Sequence, residues 1–228
     1  MAEPESPPMP PSSLPHPSDP TPLAAEWLGS GLSYEAVLAR QESLQLERKE
    51  GRIPDTLLLL EHAAVYTIGR TRDRSSLGPT AHLPHPVVEI SRGGQATYHG
   101  PGQLIGYPIL DLRNHGRDLH LHIRRLEEAL IRTLRAWGVT GRRREGLTGV
   151  WVEERKIASI GVGVRQWISL HGFALNVTPE SLQGFRAITP CGIAGVAMTC
   201  LHQETADRPS SEEVGRLFAE IYEQLLRS

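Results

Sequence analysis

At 228 residues, with a net charge of −2 and 39% hydrophobic residues, the chain is long enough for one sizeable core, and its charge gives no argument for nucleic acid as a partner. Two cysteines, neither in a C-x-x-C pair, make no disulfide framework and fit a reducing, cytoplasmic home. No stretch nears the ~20 apolar residues that span a bilayer, and the N-terminus has no charged-then-apolar arrangement of a signal peptide.

Half of the 18 prolines fall within the first 22 residues, a segment nearly devoid of large apolar side chains. It cannot bury enough surface to offset its ordering entropy, so residues 1–22 read as a disordered tail and 23–228 as a single domain. Tyr34, Val37, Leu38, Gln41 and Leu44 recur at helical spacing and predict a helix over 33–48. Residues 56–61 and 64–68 follow as short β-prone segments, and 104–112 reads as a further strand. Ile123, Leu126, Leu130, Leu134 and Trp137 mark one face of a helix over 119–137, with Gly138 where a helix C-terminus favours a left-handed residue. Arg142-Arg143-Arg144 reads first as a solvated loop, with docking of an acidic partner as the minor alternative. Residues 149–152, 156–164 and 167–177 look like three antiparallel strands, the first two joined by a turn at Glu153-Glu154-Arg155. Ser210-Ser211-Glu212-Glu213 is a capping-box pattern opening a last helix striped by Val214, Leu217, Phe218, Ile221 and Leu225. Strands outnumber helices and the middle meanders. An α+β fold with a mixed, mainly antiparallel sheet flanked by helices is expected, in preference to a doubly wound parallel one.

The densest run of unusual residues is Arg92-Gly93-Gly94-Gln95-Ala96-Thr97-Tyr98-His99-Gly100-Pro101-Gly102-Gln103, with four glycines and a proline in twelve positions. Such a run builds a loop, and its glycines let backbone approach a ligand closely. Cys191 stands in Thr189-Pro190-Cys191-Gly192-Ile193. A lone cysteine is most often a small buried hydrophobe, but proline before and glycine after exclude a regular helix or central strand. They place the thiol on a sharp bend whose N–H groups could form an oxyanion hole. Cys200 lacks such flanks and reads as packing. Lys156 opens an apolar strand; the ordinary reading is an edge residue with its ammonium in water, the alternative a buried stem with its head in a cleft, suited to proton transfer. His62, His99 and His171 lie beside turns or strand ends and each alone reads as structural. His120 and His122 are two apart on a helix and make a poor metal pair, and no metal site is expected. Neither a P-loop nor a strand-linked G-x-G-x-x-G is present.

These motifs converge. The 92–103 run resembles the signature of the lipoyl(octanoyl) transferases, also called lipoate-protein ligase B. The resemblance continues through Glu61-His62, Val65-Tyr66-Thr67-Ile68-Gly69-Arg70, Lys156-Ile157-Ala158-Ser159-Ile160-Gly161, His171-Gly172-Phe173-Ala174-Leu175-Asn176 and Pro190-Cys191-Gly192-Ile193, spanning about 61–201. Ala63-Ala64 departs from a proline usual in that family, and Cys200 from a serine.

Membership would imply a fold similar to the biotin and lipoate protein ligase catalytic domain. It would imply transfer of an octanoyl group from acyl carrier protein to a lysine of lipoyl domains, those of 2-oxoacid dehydrogenase complexes and the glycine cleavage H protein, with no ATP or other cofactor. Carried over by position, Cys191 would be the acyl-thioester nucleophile and Lys156 its partner. Arg92 to His99, Ser159 to Gly161 and Gly172 to Ala174 would line the acyl cleft. A nearby ammonium favours a thiolate, and one lysine could serve first as acid and then as base. Two other readings stay open: an ATP-dependent lipoate or biotin ligase on the same scaffold, and a non-catalytic module that holds acyl groups around a merely packed Cys191.

Overall fold

A computed structural model describes residues 22–69, 74–77, 83–189 and 196–227, with backbone alone for 74 and 75. Residues 1–21 of the expected tail, and Cys191 with its neighbours Pro190, Gly192 and Ile193, lie outside the described residues.

The strands are β1 (Ala24–Trp27), β2 (Thr56–Leu60), β3 (Val65–Ile68), β4 (Val87–Glu89), β5 (Thr97–His99), β6 (Gln103–Ile109), β7 (Arg142–Arg144), β8 (Leu147–Val152), β9 (Arg155–Arg165) and β10 (Ile168–Asn176). The helices are α1 (Tyr34–Lys49), α2 (Leu119–Ala136), the short α3 (Leu201–Glu204) and α4 (Ser211–Leu226). Seven strands form the main sheet in the order β1-β2-β6-β10-β9-β8-β7. Only β1 and β2 run parallel in it. This is the mixed, mainly antiparallel sheet expected.

Helices cover both faces, which explains the unbroken apolar run of β2, buried at all five positions. Leu57 and Leu59 join Leu104, Phe173 and Leu175 beneath α2 and α4. Leu58 and Leu60 join Ile105, Tyr107 and Ala174 beneath Val37 of α1. Alternate residues thus serve opposite faces, as the period of a strand requires. Ser33 caps α1, Asp118 caps α2, and Ser210 with Glu213 completes the capping box of α4. On α4 the buried stripe is Val214, Phe218 and Tyr222, with Leu217 and Ile221 at its edges.

Three features differ from the sequence-based expectation. The 92–103 run is not all loop: Thr97–His99 is a buried strand, pairing with β3 in a second sheet of order β4-β3-β5. Its β-branched and aromatic residues alternate sides between the glycine turns, as a short strand requires. The arginine triplet is the edge strand β7, paired with β8. Finally, β1 carries no apolar alternation and is held at the sheet edge by pairing with β2.

Phe218 is fully buried with its ring centroid 4.3 Å from that of Phe173 on β10. Truncation of Phe218 to alanine is expected to cost about 3–5 kcal/mol. Urea unfolding of Phe218→Ala would measure it; a loss under ~1 kcal/mol would mean that α4 is not seated on β10 as described.

Candidate active site

A cavity of about 390 Å³ opens between the two sheets. This lies within the ~300–1,000 Å³ usual for small-molecule sites. Its walls are Arg92 to Thr97 and His99 from the glycine run, Ser159 to Val162 of β9, and His171 to Ala174 of β10. Tyr34 and Tyr107 also line it, as do Leu119 and Ile123 of α2, Gly146 to Thr148, and Lys156. The residues expected to line the cleft therefore meet in one cavity, with one exception. Tyr98 points the other way, into a cluster with Tyr66, Ile68 and Phe185. The cause is the period of β5: Thr97 and His99 share one face, and the residue between them must take the other.

Arg92 is buried and holds its own loop. Its Nη1 donates to the Gly93 carbonyl (2.9 Å), and its Nη2 to the Thr67 carbonyl (3.0 Å) and Thr67 Oγ1 (2.9 Å). From there a chain of donors runs inward. Thr67 Oγ1 lies 3.5 Å from His99 Nε2, and His99 Nδ1 donates to Gln103 Oε1 (2.9 Å). Gln103 Nε2 donates to Asn176 Oδ1 (2.9 Å), and Asn176 Nδ2 to the Thr199 carbonyl (3.0 Å). A second chain starts at the Tyr107 hydroxyl, which donates to His62 Nε2 (2.8 Å), while His62 Nδ1 donates to the Leu32 carbonyl (3.1 Å).

These directions belong to neutral imidazoles, and burial supplies them. Burial, then the His62 and Arg92 charges, pushes His99 down to about 3. Burial brings His62 to about 4, and burial with Arg92 brings His171 to about 4. Tyr34 is pushed up to about 12 by burial. Among the described residues, Thr97 Oγ1, Ser159 Oγ and His171 Nδ1 are buried in the cavity wall without a hydrogen-bond partner.

Lys156 is not the edge lysine of the ordinary reading: it is 3% exposed and lines the cavity. Its backbone N–H donates to the Ala197 carbonyl (2.8 Å), and its carbonyl accepts from Thr199 N–H (3.0 Å). On the other side of Cys191, Thr189 N–H donates to the Ser76 carbonyl (2.7 Å). Thr189 and residues 197–199, which precede and follow Cys191 in sequence, are thus each held by backbone hydrogen bonds, the latter to Lys156 itself. Cys200 is fully buried at the N-cap of α3, and burial pushes its thiol up, in keeping with packing.

Each arginine of 142–144 already has a carboxylate of this chain. Arg142 and Arg144 pair with Glu154 (3.1 and 2.9 Å), and Arg143 with Glu127 (3.0 Å) and Glu128 (2.9 Å). The triplet holds an edge strand to its neighbours instead of forming a solvated loop. Tyr34, Tyr107, Leu119, Ile123 and 146–148 are not marked as site residues by the sequence. They come from four separate elements, and no local pattern marks them as neighbours.

The model of the lipoyl protein ligase A/B catalytic domain matches residues 33–223. A relative from Synechococcus elongatus, named octanoyltransferase, is 50% identical over 206 residues, covering 87% of this chain and 88% of its own. The chain belongs to the lipoyl protein ligase A/B family. Another octanoyltransferase of the family, from Geobacter metallireducens, is 54% identical over 171 residues, covering 75% of this chain and 78% of its own. In fold it is similar to a crystal structure of lipoate-protein ligase A bound with ATP, with a TM-score of 0.71 at 16% identity over 90% of this chain and 85% of that one. Within the family this chain is an acyltransferase whose reaction is octanoyl transfer in protein lipoylation.

The buried histidines His62, His99 and His171 give a pH dependence of known sign. Their folded values lie below the ordinary 6.5, so the unfolded chain binds protons that the folded chain refuses. Their contribution is complete above about pH 6.5 and is lost as pH falls toward 4, by up to about 1.4 kcal/mol per pH unit for each histidine. Urea midpoints measured from pH 7 to pH 4.5 are expected to fall, less steeply in His99→Gln. An equal slope in the variant would show that His99 is not held neutral.

Proposed function

We propose that the octanoyl group arrives as a thioester of acyl carrier protein, is held on Cys191, and leaves on a lysine amine of a lipoyl domain. The acceptors are lipoyl-domain proteins, among them those of 2-oxoacid dehydrogenase complexes and the glycine cleavage H protein. The observation that carries this reading is the place of Lys156: a lysine in the wall of a mainly apolar cavity, whose backbone clasps residues 197–199, just downstream of Cys191 in sequence.

In the first half-reaction the Cys191 thiolate attacks the thioester carbonyl. The bond to the carrier's sulfur breaks, and Lys156 Nζ gives that sulfur a proton. In the second half the acceptor amine attacks the Cys191 thioester. A C–N bond forms, the C–S bond to Cys191 breaks, and Lys156 takes the proton shed by the amine. Charge and protons balance over the cycle, and no nucleotide is consumed. The octanoyl chain lies against Ile160, Val162, Phe173 and Ala174, where burial at about 0.8 kcal/mol per methylene contributes several kcal/mol. Thr97, Ser159 and His171, each with a buried polar atom left unpartnered, stand in the wall that the polar end of the bound group meets.

Incubation with octanoyl-acyl carrier protein in the absence of ATP is expected to give an octanoyl adduct on Cys191, seen by peptide mass spectrometry. Cys191→Ala is expected to lose at least about 10³-fold in transfer rate. A requirement for ATP would favour an adenylating ligase, and undiminished transfer by Cys191→Ala would leave the thiol without a role.

A further inference from the structure

We propose that Trp151 is a positioning residue for Lys156, presenting its ring face to the lysine ammonium and holding it at the cavity. The proposal rests on the reading of Lys156 as the proton donor and acceptor given above.

The first support is register. Along the β8–β9 ladder Val150 faces Ala158, but the next residue, Trp151, faces Lys156, because the register shifts by one between Val150 and Trp151. An unshifted ladder would set Trp151 against Ile157. A one-residue slip exchanges the faces of a strand, and bulges re-aim side chains. On the turn side of the shift Trp151 and Lys156 are direct cross-strand neighbours, whose side chains share a face.

The second is distance. Lys156 Nζ lies 5.5 Å from the centroid of the Trp151 ring, inside the roughly 6 Å at which a cation is attracted to an aromatic face. Two residues back on the same face of β8 stands Gly149. A methyl group added there would sit 2.8 Å from Lys156 Cε and 3.3 Å from Nζ. The lysine head therefore occupies a place bounded by a missing side chain on one side and an aromatic face on the other.

The third is the choice of residue. Trp151 is fully buried, and its indole N–H has no acceptor among the described residues. A buried donor without a partner is destabilising. Phenylalanine would fill most of the space without that donor. What the indole supplies in return is the strongest π face of the three aromatic side chains. A second cation shares it: the Arg144 guanidinium, paired with Glu154 at the surface, stands 4.8 Å from the same centroid.

The ring attracts the ammonium and not the neutral amine. Its effect therefore spans the states in which Lys156 is charged: the start of the first half-reaction, where the ammonium is presented to the carrier's sulfur, and the end of the second, where the amine takes up a proton. Trp151 is accordingly replaced, at that position alone, by mono-, di- and trifluorotryptophan, which weaken the ring's attraction for cations with little change of shape. Single-turnover octanoylation of the full chain by octanoyl-acyl carrier protein is expected to slow stepwise with fluorine number, by roughly two- to thirtyfold across the series. Release of the octanoyl group to a lipoyl domain, which returns the charge to Lys156, is expected to slow in the same order, and the melting temperature to stay constant. A flat octanoylation series, or a loss unrelated to fluorine number, overturns the proposal. Lys156→Ala separates the two layers. If it is octanoylated as fast as the parent chain, the reading of Lys156 fails and Trp151 with it; if it is slow while the fluorinated series is flat, only the role of Trp151 fails.

Discussion

A guanidinium stays protonated in a protein, so burying Arg92 between two sheets obliges the fold to bring acceptors to it. The loop that carries Arg92 turns its own Gly93 carbonyl back, and β3 supplies both the backbone and the hydroxyl of Thr67. That obligation propagates. Thr67, having accepted from Arg92, turns its hydrogen toward His99; His99 then donates to Gln103, Gln103 to Asn176, and Asn176 to a carbonyl that ends the chain. Every member uses one donor and one acceptor in the same direction, so removing one strands its neighbours in a buried setting. The small sheet, the main sheet and the 196–200 segment are tied together by this chain. The Arg92 charge also helps keep His99 and His171 neutral, which His99 requires to accept from one side and donate to the other.

Much of this architecture was legible before any coordinates. The helical spacing of Tyr34, Val37 and Gln41 puts three buried residues on α1, and Ser210 with Glu213 marks the start of α4 to the residue. The three strands from 147 to 176 were readable because each is long, apolar and bounded by turns. What failed were the short elements. Thr97–His99 is three residues long among glycines, too brief for a period to be counted, so the opposed direction of Tyr98 was hidden. β1 exists because β2 offers it a ladder, a tertiary cause with no local pattern.

The site was legible in a different way. The run from Arg92, the Lys156 strand and the His171 strand announced themselves by composition, and the cavity unites them. Its far wall did not, since Tyr34, Tyr107 and Ile123 carry ordinary helical or strand patterns and become neighbours only through the sheet order. The histidines illustrate the limit most clearly. Each alone was best read as structural, and His62 is so, with both ring nitrogens bonded. His171 leaves Nδ1 buried without a partner, a distinction set by the contacts of β10.

The placement of Lys156 follows from a conflict within one hairpin. The turn at Glu153-Glu154 sets Val152 against Arg155 and Trp151 against Lys156. Farther from the turn, Val150 must meet Ala158, whose own place is fixed by its pairing with Leu175 of β10. Both registers cannot hold along a regular ladder, so the strand carries one extra residue at Ile157. Gly149 lies at this junction with φ of +122°, a conformation rarely open to a residue with a side chain, and a methyl group there would sit 2.5 Å from the Ala158 carbonyl. The backbone N–H of Gly149 is held in turn by the buried carboxylate of Glu127 on α2 (3.1 Å). A turn, a glycine and one helix carboxylate therefore decide which face the lysine takes. On the face it takes, the amine is held by rigid strands and not by a flexible loop, which is what proton transfer to two successive substrates demands of a single group.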